Sequence, residues 1–156
     1  MLKLPAAALV LCLGLAGWTG LAGAQLFSST GPVIAIFAGS LLVGEATGHL
    51  GGWGTLSLRS PSKPELTCVG EFSTTDGLGD GGQLRCSDGT SAPFRFQRLT
   101  LMRGYGAGSS SASALSFTYG LSAEESISYL KLPPGKELRR DGNNLELVAA
   151  VPFPIR

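Results

Sequence analysis

The chain has 156 residues, enough for one domain of ordinary size and too few for two robust cores. Its 44% hydrophobic content excludes a disordered chain, which needs low hydrophobicity and high net charge. With 12 basic against 11 acidic side chains, the net charge of +1 provides no global field for nucleic acid or anionic lipid, so no nucleic-acid partner is expected.

Residues 1–24 carry the three parts of an export signal in order. Lys3 is a positive n-region, Leu4 to Leu15 an apolar h-region, and Ala22-Gly23-Ala24 a small-x-small cleavage site. The pattern predicts a signal peptide cut between Ala24 and Gln25. The alternative is a retained anchor, since Leu4 to Ala24 is nearly long enough to span a bilayer. Gly14, Gly17, Gly20 and Gly23 weaken a helix there and favour cleavage. Lipidation at Cys12 is not expected, because bulky Leu11 stands where a small residue is needed.

The remainder, 25–156, reads as a single β-rich domain punctuated by glycine, with a core at about 33–120 and a helix plus hairpin over 121–153. Val33 to Ala38 and Leu41 to Thr47 are apolar runs rich in Val, Ile and Phe, too short for a helical span and suited to buried strands. From Trp53 to Leu58, polar-or-aromatic residues alternate with Gly54, Leu56 and Leu58, the period of a half-buried strand. Pro61 to Pro64 turns, and Glu65 to Ser73 resumes extended. Thr75 to Gly81 is a loop in which Gly and Asp tolerate positive φ. Gln83 to Ser87 and Ala92 to Phe96 flank Asp88-Gly89, a strong hairpin signal. Ser122-Ala123-Glu124-Glu125 is a capping box that starts a short helix near 123–131, with Ile127 and Leu130 as its buried stripe and Pro133-Pro134 as its stop. Lys136 to Arg140 and Leu145 to Val151 form a last hairpin around Asp141 to Asn144.

A loose repeat runs through this pattern. Gly54-x-Leu56 leads to Cys68-x-Gly-x-Phe72, Gly82-x-Leu84 to Phe94-x-Phe96, and Gly104-x-Gly106-x-Gly108 to Leu115-x-Phe117-x-Tyr119. Each unit is a glycine-opened strand, a turn and an aromatic-bearing strand. No hairpin buries its apolar face alone, so the units are expected to assemble into an antiparallel meander, a small rolled sheet or a half-barrel. Cys68 and Cys86, in neighbouring strands of an exported domain, predict one structural disulfide.

The spacing of Gly52-x-Gly-Thr-Leu56, Cys68-Val-Gly-Glu-Phe72, Gly82-Gln-Leu-x-Cys-Ser-Asp-Gly89 and Phe94-x-Phe96 resembles a class of small exported bacterial β-rich proteins. The resemblance spans roughly Gly48 to Gly120 and implies a periplasmic or extracellular location, with no activity attached. The glycine-opened hairpins are also similar to MORN repeats in architecture, although Cys68 and Cys86 stand at aromatic positions and the spacing drifts.

Catalytic chemistry finds little support. His49 is the sole histidine, lies in a turn-like Thr47-Gly48-His49-Leu50-Gly51, and has no Gly-x-Ser-x-Gly elbow to serve. Glu45 and Glu71 are a conceivable carboxylate pair, but both lie in strands where a solvated outer face explains them. Asp76, Asp80 and Asp88 sit in Gly-rich turns without calcium-loop spacing, and Gly104 to Gly108 opens no phosphate-binding helix. No metal or cofactor is expected. Asp76 and Asp80 in the long loop, with Arg95 and Arg98 beside Phe94 and Phe96, are the candidate binding residues. The leading expectation is a non-enzymatic exported domain that binds an envelope protein or a small ligand, with no membrane span after cleavage. The alternatives are an inhibitor of a hydrolase presenting the loop Asp76 to Gly82, or a small hydrolase using Glu45, Glu71 or His49.

Overall fold

The computed structural model describes residues 28–74, 80–111 and 113–152. The predicted signal peptide, its cleavage site, and Asp76 with most of its loop lie outside these residues. Eight antiparallel strands follow one another in sequence order and close into a barrel: β1 (Ser28–Phe37), β2 (Ser40–His49), β3 (Trp53–Arg59), β4 (Thr67–Ser73), β5 (Gly81–Cys86), β6 (Ser91–Thr100), β7 (Arg103–Ser109) and β8 (Ala114–Tyr119). The meander of glycine-opened hairpins is therefore borne out. It rolls the whole way round, because Val33 to Phe37 of β1 pair with Leu115 to Tyr119 of β8. Closure removes the sheet edge along the paired length of β1 and β8.

Local chemistry sets the elements. In β3, Gly54, Leu56 and Leu58 face inward while Trp53, Thr55, Ser57 and Arg59 face out, as their alternation predicts. β1 is apolar on both faces because both are covered. Val33, Ala35 and Phe37 point into the barrel, whereas Ile34 and Ile36 join Leu41 of β2 beneath an outer layer. That layer is the one-turn helix α1 (Ala123–Ser126) and the hairpin of β9 (Lys136–Asp141) with β10 (Asn144–Ala149). Leu130, Leu132, Leu138, Leu145 and Leu147 pack from it onto the outside of the barrel.

The capping box forms as read: Ser122 accepts from the Glu125 backbone and Glu125 accepts from the Ser122 backbone. The helix is shorter than expected, however, and its buried stripe is different. Ala123, Ser126 and Leu130 are buried, and Ile127 is 48% exposed. The reason lies in β8, whose outward-facing Ser116 and Thr118 need partners once covered. The Ser126 hydroxyl donates to the Ser122 carbonyl and pairs with Thr118 at 2.7 Å, and the Lys131 backbone N–H donates to Ser116. These bonds turn the serine face, not the isoleucine, toward the barrel.

Inside, the glycine–aromatic repeat has a spatial meaning. Gly54 pairs across strands with Phe72, Gly82 with Phe94, Gly106 with Phe117 and Gly104 with Tyr119. At each of these glycines a Cβ would overlap the partner's ring and a neighbouring backbone carbonyl. The rings therefore lie flat over bare backbone, against the wall, and meet edge-on: Phe72 with Phe96, Phe94 with Phe117, and Phe96 with Tyr119.

Candidate functional site: one open barrel mouth

An eight-stranded barrel is just wide enough to be filled by side chains or to hold one small ligand. Here the two ends differ. At the end carrying the β1–β2 and β5–β6 turns, Phe37, Leu42, Leu58, Leu84, Ala92 and Leu115 fill the interior, and a cavity of about 490 Å³ at this end is edged by the polar Ser40, Lys63, Glu65 and Asp88. The disulfide Cys68–Cys86 ties β4 to β5 across a directly paired position at this end, as the sequence predicts. Disulfides of this kind persist in oxidising compartments. At the opposite end the flattened rings leave a cavity of about 300 Å³ that opens between the β2–β3 and β6–β7 loops. Leu56, Phe72, Phe94, Phe96 and Phe117 form its walls, with Ala46 and Gly48 of β2 on one side. The volume is at the lower end of the range for small-molecule pockets.

The rim of this mouth is apolar. Leu50 comes from the β2–β3 loop, Trp53 from the start of β3, and Leu101 and Met102 from the β6–β7 loop. All four are exposed, Leu50 by 77% and Leu101 by 79%. His49 stacks on Trp53 with ring centroids 4.0 Å apart, so the sole histidine packs against the rim tryptophan. The Gly52 carbonyl accepts from the backbone and hydroxyl of Thr74, which ties the β2–β3 loop to the end of β4.

Among the described residues, polar groups at the mouth are few. Arg98 lines the cavity and pairs with Asp80 at 2.9 Å, bringing together two of the residues singled out in the sequence. The Tyr119 hydroxyl lies near this pair and is the one buried side-chain polar atom among the described residues without a hydrogen-bond partner. Burial raises its phenol above the ordinary 10.0, keeping it a neutral donor.

The remaining candidates disperse. Arg95 faces outward from β6, directly opposite Gly81, and does not reach the cavity. Asp88 lies at the far end of the barrel, where it accepts from the Thr90 hydroxyl and backbone; the hydroxyl bond chiefly lowers its pKa. Glu45 and Glu71 are exposed on the outer face, on strands separated by β3, and neither lines the mouth. No group of three His, Cys, Asp or Glu that could hold a metal ion occurs among the described residues. The sequence reading missed Leu50, Leu101 and Met102. Their signal was bulky apolar residues at turns, where strand ends normally turn polar.

The fold and site define a closed antiparallel barrel, filled and bridged at one end and open to an apolar cavity at the other. Comparison with protein-family models, curated proteins and solved structures finds no match to this chain. No helix among the described residues is long and apolar enough to cross a membrane.

Proposed function

We propose that this protein is an exported, non-enzymatic binding domain that takes one small, mainly apolar molecule into the open mouth of its barrel. The carrying observation is the cavity of about 300 Å³, walled by phenylalanine and leucine and bounded by a fixed disulfide end. Desolvating an apolar ligand against such walls is worth roughly 25 cal/mol per Å² buried. The charge of Arg98 is already compensated by Asp80, which favours a neutral ligand over an acid. The signal sequence and the disulfide support export to the periplasm or beyond. The scatter of Glu45, Glu71 and His49 supports a binding role over hydrolysis.

The test is titration of the processed protein with N-phenyl-1-naphthylamine, a neutral apolar fluorophore, beside the variant Gly48→Leu. A Cβ at Gly48 meets only the tip of the Phe72 ring, at 3.9 Å, so a leucine there projects into the cavity without disturbing the wall. The expected result is one saturable site in the native protein, weakened about tenfold or more in the variant at unchanged thermal midpoint. Absence of binding, or equal binding by both proteins, would overturn the reading.

A further inference from the structure

Exposed bulky apolar side chains are unevenly distributed over this molecule. Leu50, Leu101 and Met102 on two loops, with Trp53 and Leu99 in the strands beside them, stand at one end of the barrel, and the other three such residues among those described are scattered. A contiguous apolar rim of this kind on an otherwise polar surface marks a site of contact. Two charges beside it among the described residues are paired locally, Arg98 with Asp80 and Arg103 with Glu125. The rim therefore offers apolar area and an amphipathic indole, a combination suited to the boundary between headgroups and hydrocarbon.

The direction of the chain identifies what lies opposite. β1 begins at Ser28, on the same rim, where Ser29 and Gly31 line the cavity mouth. The apolar segment Leu4 to Ala24 precedes it, separated only by Gln25 to Phe27. Fully extended, that connection spans at most about 14 Å. While the segment is held in a membrane, the mouth is tethered against the same bilayer.

We propose that the barrel mouth docks on a lipid bilayer, seating Leu50, Trp53, Leu101 and Met102 at the interface so that the cavity opens onto the hydrocarbon. The inference rests on the cavity reading for its purpose, since a mouth so placed draws its apolar ligand from the membrane. The contact is peripheral. It is built from apolar burial, so it is insensitive to salt and does not require anionic lipid.

The experiment uses the processed protein recovered from an exporting host. Trp18 leaves with the signal segment, so Trp53 on the rim is the single tryptophan that remains. Vesicles of phosphatidylcholine alone, and of phosphatidylcholine with phosphatidylglycerol, are added at low and high salt. The expected result is a blue shift of Trp53 emission, quenching by acyl-brominated phosphatidylcholine, and similar partitioning under all conditions. The double variant Leu50→Asp/Leu101→Asp should partition about tenfold or more weakly, with an unchanged thermal midpoint because both side chains are exposed. No shift, binding confined to anionic vesicles and lost in high salt, or rim-dependent pairing of two copies in solution would each overturn docking. A native protein that takes naphthylamine but binds no vesicle refutes docking alone. Vesicle binding by a protein that takes no naphthylamine leaves docking standing and removes the cavity reading.

Discussion

Replacing Gly106 by alanine separates two accounts of the glycines inside this barrel. Propensity alone expects a gain, since alanine in a strand is favoured over glycine by about 0.5–1 kcal/mol. The packing expects a large loss. A Cβ at Gly106 would overlap the Arg95 carbonyl oxygen and the tip of Phe117, and lie 2.6 Å from Phe117 Cε1, where ordinary carbon contacts are about 3.5–4.0 Å. Phe117 is 5% exposed and meets Phe94 edge-on at 5.1 Å, so it has little room to swing away, and the carbonyl belongs to a paired strand. Overpacking a core costs about 1–3 kcal/mol, and an obstacle of backbone places this site at the top, about 3 kcal/mol. Gly89→Ala is the control. Nothing lies within 4 Å of a Cβ there, so its cost is the positive φ of 86° alone, about 1–2 kcal/mol. Urea unfolding of the oxidised, processed protein, followed by Trp53 fluorescence, should show the Gly106→Ala midpoint lowered by about 1–3 M at constant slope. Adding Phe117→Leu should not restore stability, because the carbonyl clash remains. A neutral or stabilising Gly106→Ala, or one milder than Gly89→Ala, would refute the argument that glycine here makes room for the wall.

Cys68→Ala/Cys86→Ala should destabilise by about 3 kcal/mol, the loop-closure value for this spacing. Reductant should lower the melting midpoint of the native protein and leave that of the variant in place; equal midpoints without reductant would remove the disulfide's role. Tyr119→Phe deletes a buried hydroxyl without a partner, so stability at neutral pH should hold or rise by up to about 1 kcal/mol. Burial raises the phenol's pKa, so its contribution is complete below 10.0 and fades as pH climbs through the raised value. Melting scans in alkali should therefore show a decline that the phenylalanine variant lacks, and a loss at neutral pH would mean that the hydroxyl has a partner. Glu125 is held below its ordinary 4.5, chiefly by the hydrogen bond from Arg103 and next by the Ser122 backbone. Its contribution is thus present above 4.5 and lost as pH falls through the depressed value. Glu125→Gln should flatten that part of the acid profile, and an unchanged profile would count against the capping box as a source of stability.

Much of this architecture is written locally in the chain. The alternation at Trp53 to Arg59 assigns each side chain to a face, because period two is a property of any extended backbone. The unbroken run Val33 to Phe37 announces a strand covered on both sides. Asp88-Gly89, the Ser122–Glu125 box and the two cysteines likewise act through neighbours or a single adjacent strand. The glycine-then-aromatic repeat already holds the cross-strand pairs that line the wall.

Other features required the assembled barrel. Closure joins Val33 to Tyr119 across most of the chain, and whether a twisted meander meets its own first strand depends on accumulated tilt and stagger. Only that closure encloses the interior, so that one end is packed and the other is a mouth. It also covers the outward hydroxyls of Ser116 and Thr118, whose need for partners turns Ser126 inward and leaves Ile127 exposed. Leu50 and Leu101, unremarkable as neighbours of strands in the sequence, become the two sides of one mouth only when eight strands share an axis. Faces and turns are fixed by contacts a few residues long; the site depends on distances that exist only after the ring has closed.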